Sequence, residues 1–156
     1  MTGIGNLHVL FKVADSEYVV SATDVLHMES FTGATRVPGT QTHVIGLMQI
    51  RQRVVPIIDL RVRFGLLGSE PTLDSRVVVV QCDERAIGLL VDSAREVVQL
   101  APDAFAAPPE VVTERAQGFV RSVARAGKRL VMLIDLPKVI GEETLRGEQQ
   151  REQRLD

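Results

Sequence analysis

The sequence predicts an all-β (mainly β) fold built as two small β-barrel lobes with short helical turns, and three observations carry that expectation. Valine occurs 23 times in 156 residues, while tryptophan is absent and Tyr18 is the only tyrosine. β-Branched side chains are stiff at χ1 and suit a half-buried pleated surface better than a helix. Apolar runs reach only about five residues and are closely punctuated by turn signals, the spacing of short strands in sandwiches and barrels. The stretch RVVPIIDLRVRFG at 53–65 returns as RLVMLIDLPKVIG at 129–141, with six of thirteen positions coinciding at an offset of 76. A repeat of that length implies two similar units.

In chain order, strands are expected at 7–13 and 17–21, followed by a short turn near 22–30. A polar loop, TGATRVPGTQTH at 32–43, leads to strands 45–50 and 53–58. The second unit repeats the plan with strands at 76–82 and 85–91, a further short strand at 95–100, a loop with three prolines at 101–117, and strands at 118–125 and 128–134. One domain over 7–141 is expected, made of lobes at about 7–68 and 74–141 between which terminal strands are free to cross. Residues 142–156, EETLRGEQQREQRLD, lack large apolar side chains apart from two leucines and read as a polar tail, a frayed helix or disorder.

The repeated aspartate has a mechanical explanation. An Asp closing a strand accepts hydrogen bonds from the first free N–H groups of a helical turn, and a Gly six residues on ends the turn in left-handed geometry. Asp59 with Gly65 and Asp135 with Gly141 both fit, and Pro137 falls in the first turn, where a missing N–H does no harm. The preceding VVPII shows no polar alternation, so both faces of that strand should be covered, one by its own barrel core and one by the other lobe. Pro56 cannot donate to a ladder and so points to an edge or bulge. Lobes packed along such strands would leave an apolar, partner-binding groove between them.

Composition excludes several classes of function. With 18 basic and 20 acidic side chains the net charge is −2, which gives no nucleic-acid footprint and no polybasic membrane patch. The single cysteine, Cys82, rules out an internal disulfide and reads as a buried, inert thiol. No secretory leader and no apolar run near the ~20 residues of a membrane span is apparent, so a cytoplasmic protein is expected. His8, His27 and His43 lack the spacing of a local metal-ligand pair, and neither a nucleophile elbow nor a phosphate-binding glycine loop is present. Arg51, Arg53, Arg61 and Arg63 gather around VVPIID. They form either a solvated rim or, at Arg51 on the hairpin tip, a planar fork for a partner's carboxylate or carbonyls.

The segment VIGLMQIRQRVVPIIDLRVRFG at 44–65 resembles the signature of the CheW coupling proteins of bacterial chemosensory arrays, in which a G-x-x-N-L-R-G hairpin runs into V-V-P-[IV]-[IV]-D-L-R-x-[KR]-F. The likeness extends over about residues 7–141. It implies two tandem SH3-like five-stranded barrel subdomains acting as a non-catalytic adaptor without cofactor or metal. The implied partners are methyl-accepting chemotaxis receptors and the regulatory domain of a CheA-type histidine kinase. By position, Arg51 matches the hairpin arginine implicated in receptor contact. Val25, Gly46, Val77, Gly88 and Val97 match positions lining or supporting the receptor groove and the kinase contacts.

Two departures bear on those partners. The family's hairpin Asn, Leu and closing Gly are here Gln49, Ile50 and Gln52, so the turn must be rebuilt without easy access to positive φ. His27 replaces a usual acid beside the groove. Together they point to a divergent paralogue serving a specialised array, for surface motility rather than flagellar swimming. Two other classes stay open: a β-barrel pocket for a small ligand, which would lack the usual aromatic lining, and a hydrolase pairing Asp59 or Asp135 with a histidine.

Overall fold

The structure, a computed structural model, describes residues 4–110 and 118–141. The polar tail expected at 142–156 and the end of the loop at 111–117 lie outside the described residues. Strands β1 (Leu7–Val13), β2 (Ser16–Ser21), β3 (Val25–Ser30), β4 (Val44–Ile50) and β5 (Arg53–Asp59) lead to a short helix α1 (Leu60–Arg63). Strands β6 (Arg76–Cys82), β7 (Arg85–Val91), β8 (Ser93–Gln99), β9 (Phe105–Ala106), β10 (Val120–Ala126) and β11 (Arg129–Ile134) lead to helix α2 (Leu136–Ile140).

These strands form two sheets, one in the order β8-β1-β2-β11-β10-β9 and one in the order β3-β6-β7-β5-β4. The sixth strand of the first sheet is the two-residue β9, which pairs with β10 from within the proline-rich loop. The sheets do not divide at residues 68–74. Hairpin β1–β2 pairs with β8 and, in parallel, with β11, while hairpin β6–β7 pairs with β3 and, in parallel, with β5. Each repeat thus lends its first hairpin to the sheet of the other. The parallel pairs Ile57↔Gly88 and Leu133↔Val19 are the equivalent contacts in the two sheets.

Side-chain alternation sends the two faces of each strand into different cores. On β6, Val77 and Val79 join Met48, Ile50, Val55, Ile57, Ala86 and Leu90 in a cluster drawn from the five-stranded sheet, which is therefore rolled around it. Leu10, Val19, Ala124 and Val131 form the matching cluster of the other sheet, with Leu100. The opposite faces meet between the sheets: Phe11, Tyr18 and Val20 from one pack with Ile58, Val78, Val80 and Leu89 from the other. An aromatic series runs through this seam, Phe11 to Tyr18 at 5.7 Å, Tyr18 to Phe64 at 5.1 Å and Phe64 to Phe119 at 5.7 Å between centroids. The space between the sheets is thus packed core where an open groove was expected.

Three further expectations change. Residues 25–30, read as part of a turn, form strand β3, because the turn is confined to a 3₁₀ segment at Ala22–Asp24 that Ser21 caps through the Thr23 N–H. Pro56 lies on an interior strand, neither at an edge nor at a bulge. It is accommodated because the parallel pairing to β7 begins only at Ile57. Cys82 is half-buried at the end of β6, with burial raising its thiol pKa, so the protonated form persists and nucleophilicity is low.

Candidate functional site

The β4–β5 hairpin turns at Arg51 (φ +49°) and Gln52 (φ +70°). Two consecutive positive φ values between the paired Ile50 and Arg53 are the signature of a type I′ turn, whose twist matches the flanking strands. Gln52 therefore occupies the geometry a glycine would adopt freely, at the steric cost of a side chain in left-handed backbone. The hairpin projects Arg51, whose side chain is 68% exposed and whose Nε donates to Oε1 of Glu29 at 2.9 Å.

Glu29 comes from β3, an edge strand on which Leu26 and Met28 are exposed and Val25, His27 and Glu29 half-buried. A register irregularity separates Val25, opposite Val80 and packed against the core between the sheets, from His27 and Glu29, opposite Val79 and Val77. Glu29 is a residue that the sequence reading did not single out. Alternation within VLHMES would have placed it on one face with His27 had that segment been read as a strand. Nε2 of His27 lies buried, without a hydrogen-bond partner among the described residues, 3.8 Å from the same Glu29 oxygen that Arg51 engages.

Arg51 and His27 thus meet at Glu29, while the remaining positions lie apart, Val25 at the other end of β3 against the core between the sheets. Val97 is 57% exposed on β8, the edge strand of the other sheet. Val77 is fully buried in the core of the five-stranded sheet. Gly88 packs so tightly that a Cβ would sit 2.5 Å from Ile57 Cδ1 and 2.7 Å from Val77 Cγ1. Gly46 (φ +145°) lets the Thr35 segment cross β4, since a Cβ there would come within 2.2 Å of the Thr35 carbonyl oxygen. Thr35 and Leu47 exchange two backbone hydrogen bonds of 2.8 Å, which cover that sheet edge. Gly46, Val77 and Gly88 shape the fold and present no surface to a partner.

The two repeated aspartates face helix starts. Asp59 is buried and its Oδ1 accepts the Arg61 N–H at 2.9 Å; Gly65 follows with φ +82°. Burial raises the Asp59 carboxyl pKa, against the lowering effect of the N–H groups of Val62 and Arg61. Asp135 accepts the Lys138 N–H at 3.3 Å, and Gly141 follows with φ +80°. His43, whose carbonyl accepts the Asp59 N–H, is itself buried, so this Asp and His are not presented in an open cleft. His8 and His27 sit on β1 and β3, and no group of three His, Cys, Asp or Glu that could hold a metal occurs among the described residues.

The arginines of α1 are structural ties. Arg61 reaches Asp92, between β7 and β8, and the same carboxylate accepts the Ala14 N–H at 2.8 Å, so three segments meet there. Arg63 donates to the carbonyls of Val139 and Lys138 at 2.7 and 3.0 Å and lies 4.8 Å over the Phe119 ring, clamping the end of α2. Among the described residues, an open cleft of about 280 Å³ lies beside the Arg61–Asp92 tie and is also lined by Lys12, Glu70 and Asp74, and another of about 450 Å³ is lined by Leu10 and Phe11 together with Lys12, Glu17, Asp74, Arg95, Glu96 and Arg129. Polar and charged side chains dominate both linings, whereas small-molecule sites are mostly apolar.

Comparison with known proteins identifies the architecture. The family model described as the CheW-like domain matches residues 7–144. The chain belongs to the CheW-like domain family. Among curated relatives, this CheW-like chain is 29% identical to the chemotaxis protein CheW of Rhizobium meliloti, with 92% of each chain covered. It is 29% identical to the chemotaxis protein CheW of Bacillus subtilis, with 90% of each covered. Its fold is similar to the crystal structure of the scaffolding protein TtCheW from Thermoanaerobacter tengcongensis, at TM-score 0.81 and 26% identity over 90% of this chain and 95% of that one. Among the described residues no helix is long and apolar enough to cross a membrane.

Proposed function

We propose that this CheW-like chain is a non-catalytic adaptor that couples the cytoplasmic tips of methyl-accepting chemoreceptors to the regulatory domain of a CheA-type histidine kinase, working in the cytoplasm at receptor arrays. The observation that carries this reading is the family match over residues 7–144, joined to an exposed Arg51 at the tip of the hairpin that bears the family signature. Similarity to a solved scaffolding protein and to curated chemotaxis proteins supports it. So does the chemistry of the chain, since the two repeated carboxylates are engaged at helix starts and the clefts are polar.

With the seam between the sheets filled, partners meet the outside of the molecule. Arg51 supplies a planar, charged anchor, with half-buried His27 near it through Glu29, half-buried Val25 further along the strand that carries His27, and exposed Val97 on the edge strand of the other sheet. Interfaces of this kind derive most of their energy from a few such residues. The test is co-purification of the chain with an isolated CheA regulatory domain and, separately, with a receptor-tip coiled-coil fragment. Retention of both supports the coupling role. Failure to retain either, with the chain folded by circular dichroism, overturns it.

A further inference from the structure

We infer that His27 is a pH-responsive competitor for Glu29 and thereby governs how firmly Arg51 is held at the proposed receptor contact; the functional half of this inference rests on the adaptor reading above. Arg51 Nε and His27 Nε2 face one and the same oxygen, Oε1 of Glu29, at 2.9 and 3.8 Å. The first distance is a charge-assisted hydrogen bond and the second is too long to be one. Nε2 of His27 is buried and makes no hydrogen bond among the described residues, a standing cost that a protonated imidazole closing on Glu29 would relieve.

Glu29 comes from the same strand as His27, Arg51 comes from the facing hairpin, and the paired residue on β6 is the apolar Val79. Histidine is the side chain whose charge ordinarily changes between pH 5 and 8. Neutral His27 leaves Oε1 to the Arg51 Nε–H. Charged His27 both attracts Oε1 and repels the neighbouring guanidinium, so Arg51 loses its tether. His27 and Glu29 are accordingly positioning residues that act through Arg51.

The experiment follows the Arg51 Nε–H and the His27 ring by ¹⁵N NMR of the full chain from pH 8 to pH 5, in wild type and in His27→Gln. The Arg51 resonance of the wild type should shift or broaden in step with the His27 titration, while that of His27→Gln stays flat. An Arg51 signal that ignores the His27 titration, or moves equally in His27→Gln, overturns the competition. Affinity for a receptor-tip fragment should fall about fivefold from pH 8 to 5.5 in wild type, the lower end of ordinary site coupling, and stay constant in His27→Gln. Equal falls in the two proteins overturn the link between His27 and binding. Absence of binding at every pH, with the NMR coupling intact, overturns the adaptor reading instead.

Discussion

Arg61 and Asp92 meet at two points, Nε to Oδ1 at 2.9 Å and a terminal nitrogen to Oδ2 at 2.6 Å. The pair ties α1, which ends the first repeat, to the corner after β7, and through the Ala14 N–H it holds the β1–β2 turn as well. Bidentate arginine–carboxylate geometry of this kind is worth more than an ordinary surface ion pair.

Replacing Asp92 by Asn should therefore cost about 2 kcal/mol of stability at pH 7, the range for hydrogen bonds to a charged group. Burial pushes the Asp92 carboxyl up, but the hydrogen bonds from Arg61 and Ala14 outweigh it and hold the pKa below the usual value. A lowered carboxylate pKa contributes stability that is complete above the unfolded value near ~3.9 and is lost as pH falls through the folded one. Urea titrations should show the gap between wild type and Asp92→Asn narrowing as pH falls from the unfolded value through the lowered folded one. A gap that persisted unchanged there would assign the loss to packing.

Asp59 has the opposite sign. Its pKa is raised, chiefly by burial, so its ionisation opposes folding as pH climbs through the unfolded and then the folded value. Asn caps helices as well as Asp does. Asp59→Asn should keep stability within about 0.5 kcal/mol of wild type at pH 7, whereas Asp59→Ala should lose about 1 kcal/mol with the cap. Equal losses in the two variants by thermal melts would remove the capping account.

At the hairpin, Gln52 holds φ at +70°. Gln52→Gly should raise stability by about 1 kcal/mol, the cost per residue of left-handed backbone with a side chain. A lowered urea midpoint would mean that the Gln52 side chain contributes something the turn geometry does not reveal.

Gly46→Ala places a Cβ against the Thr35 backbone, and Gly88→Ala places one between Ile57 and Val77. The first should cost more than about 2 kcal/mol, because the obstructing atom is a carbonyl oxygen that cannot swing away without breaking the Thr35–Leu47 bridge. The second should cost about 1–3 kcal/mol as overpacking. In both, any loss of partner affinity should disappear once the folded fraction is corrected for by calorimetry.

Arg51→Ala should do the reverse. The exposed pair with Glu29 contributes little to folding, so the urea midpoint should hold while receptor-tip affinity falls by more than about 1 kcal/mol. Unchanged affinity would remove Arg51 from the contact surface.

Much of this molecule was legible in its sequence. Valine content and short punctuated runs indicated strands, and the boundaries of β1, β6 and β7 coincide with those expected, because each is bounded by turn residues such as Ala14–Asp15 and Asp83–Glu84. Strand β3 was obscured by the polar Ser21–Asp24 turn that precedes it, and β9 exists only through its pairing with β10. The repeat offset revealed two like units but could not say which strands pair, since pairing partners are chosen by tertiary packing. At the site, Arg51 could be found from its place in the hairpin. The Glu29 partner depends on β3 being a strand, and the Arg61–Asp92 tie spans 31 positions that no local pattern connects.

The exchange of hairpins β1–β2 and β6–β7 between the sheets makes the two halves interdependent. Severing the chain in the connection between α1 and β6 would produce two polypeptides, each carrying a pair of strands shaped for the other and lacking the pair its own sheet requires. Neither would collapse unaided, yet mixed together they should reconstitute the native assembly, as the protomers of a domain-swapped dimer do. The covalent tether supplies the high effective concentration that such fragments would have to achieve by encounter.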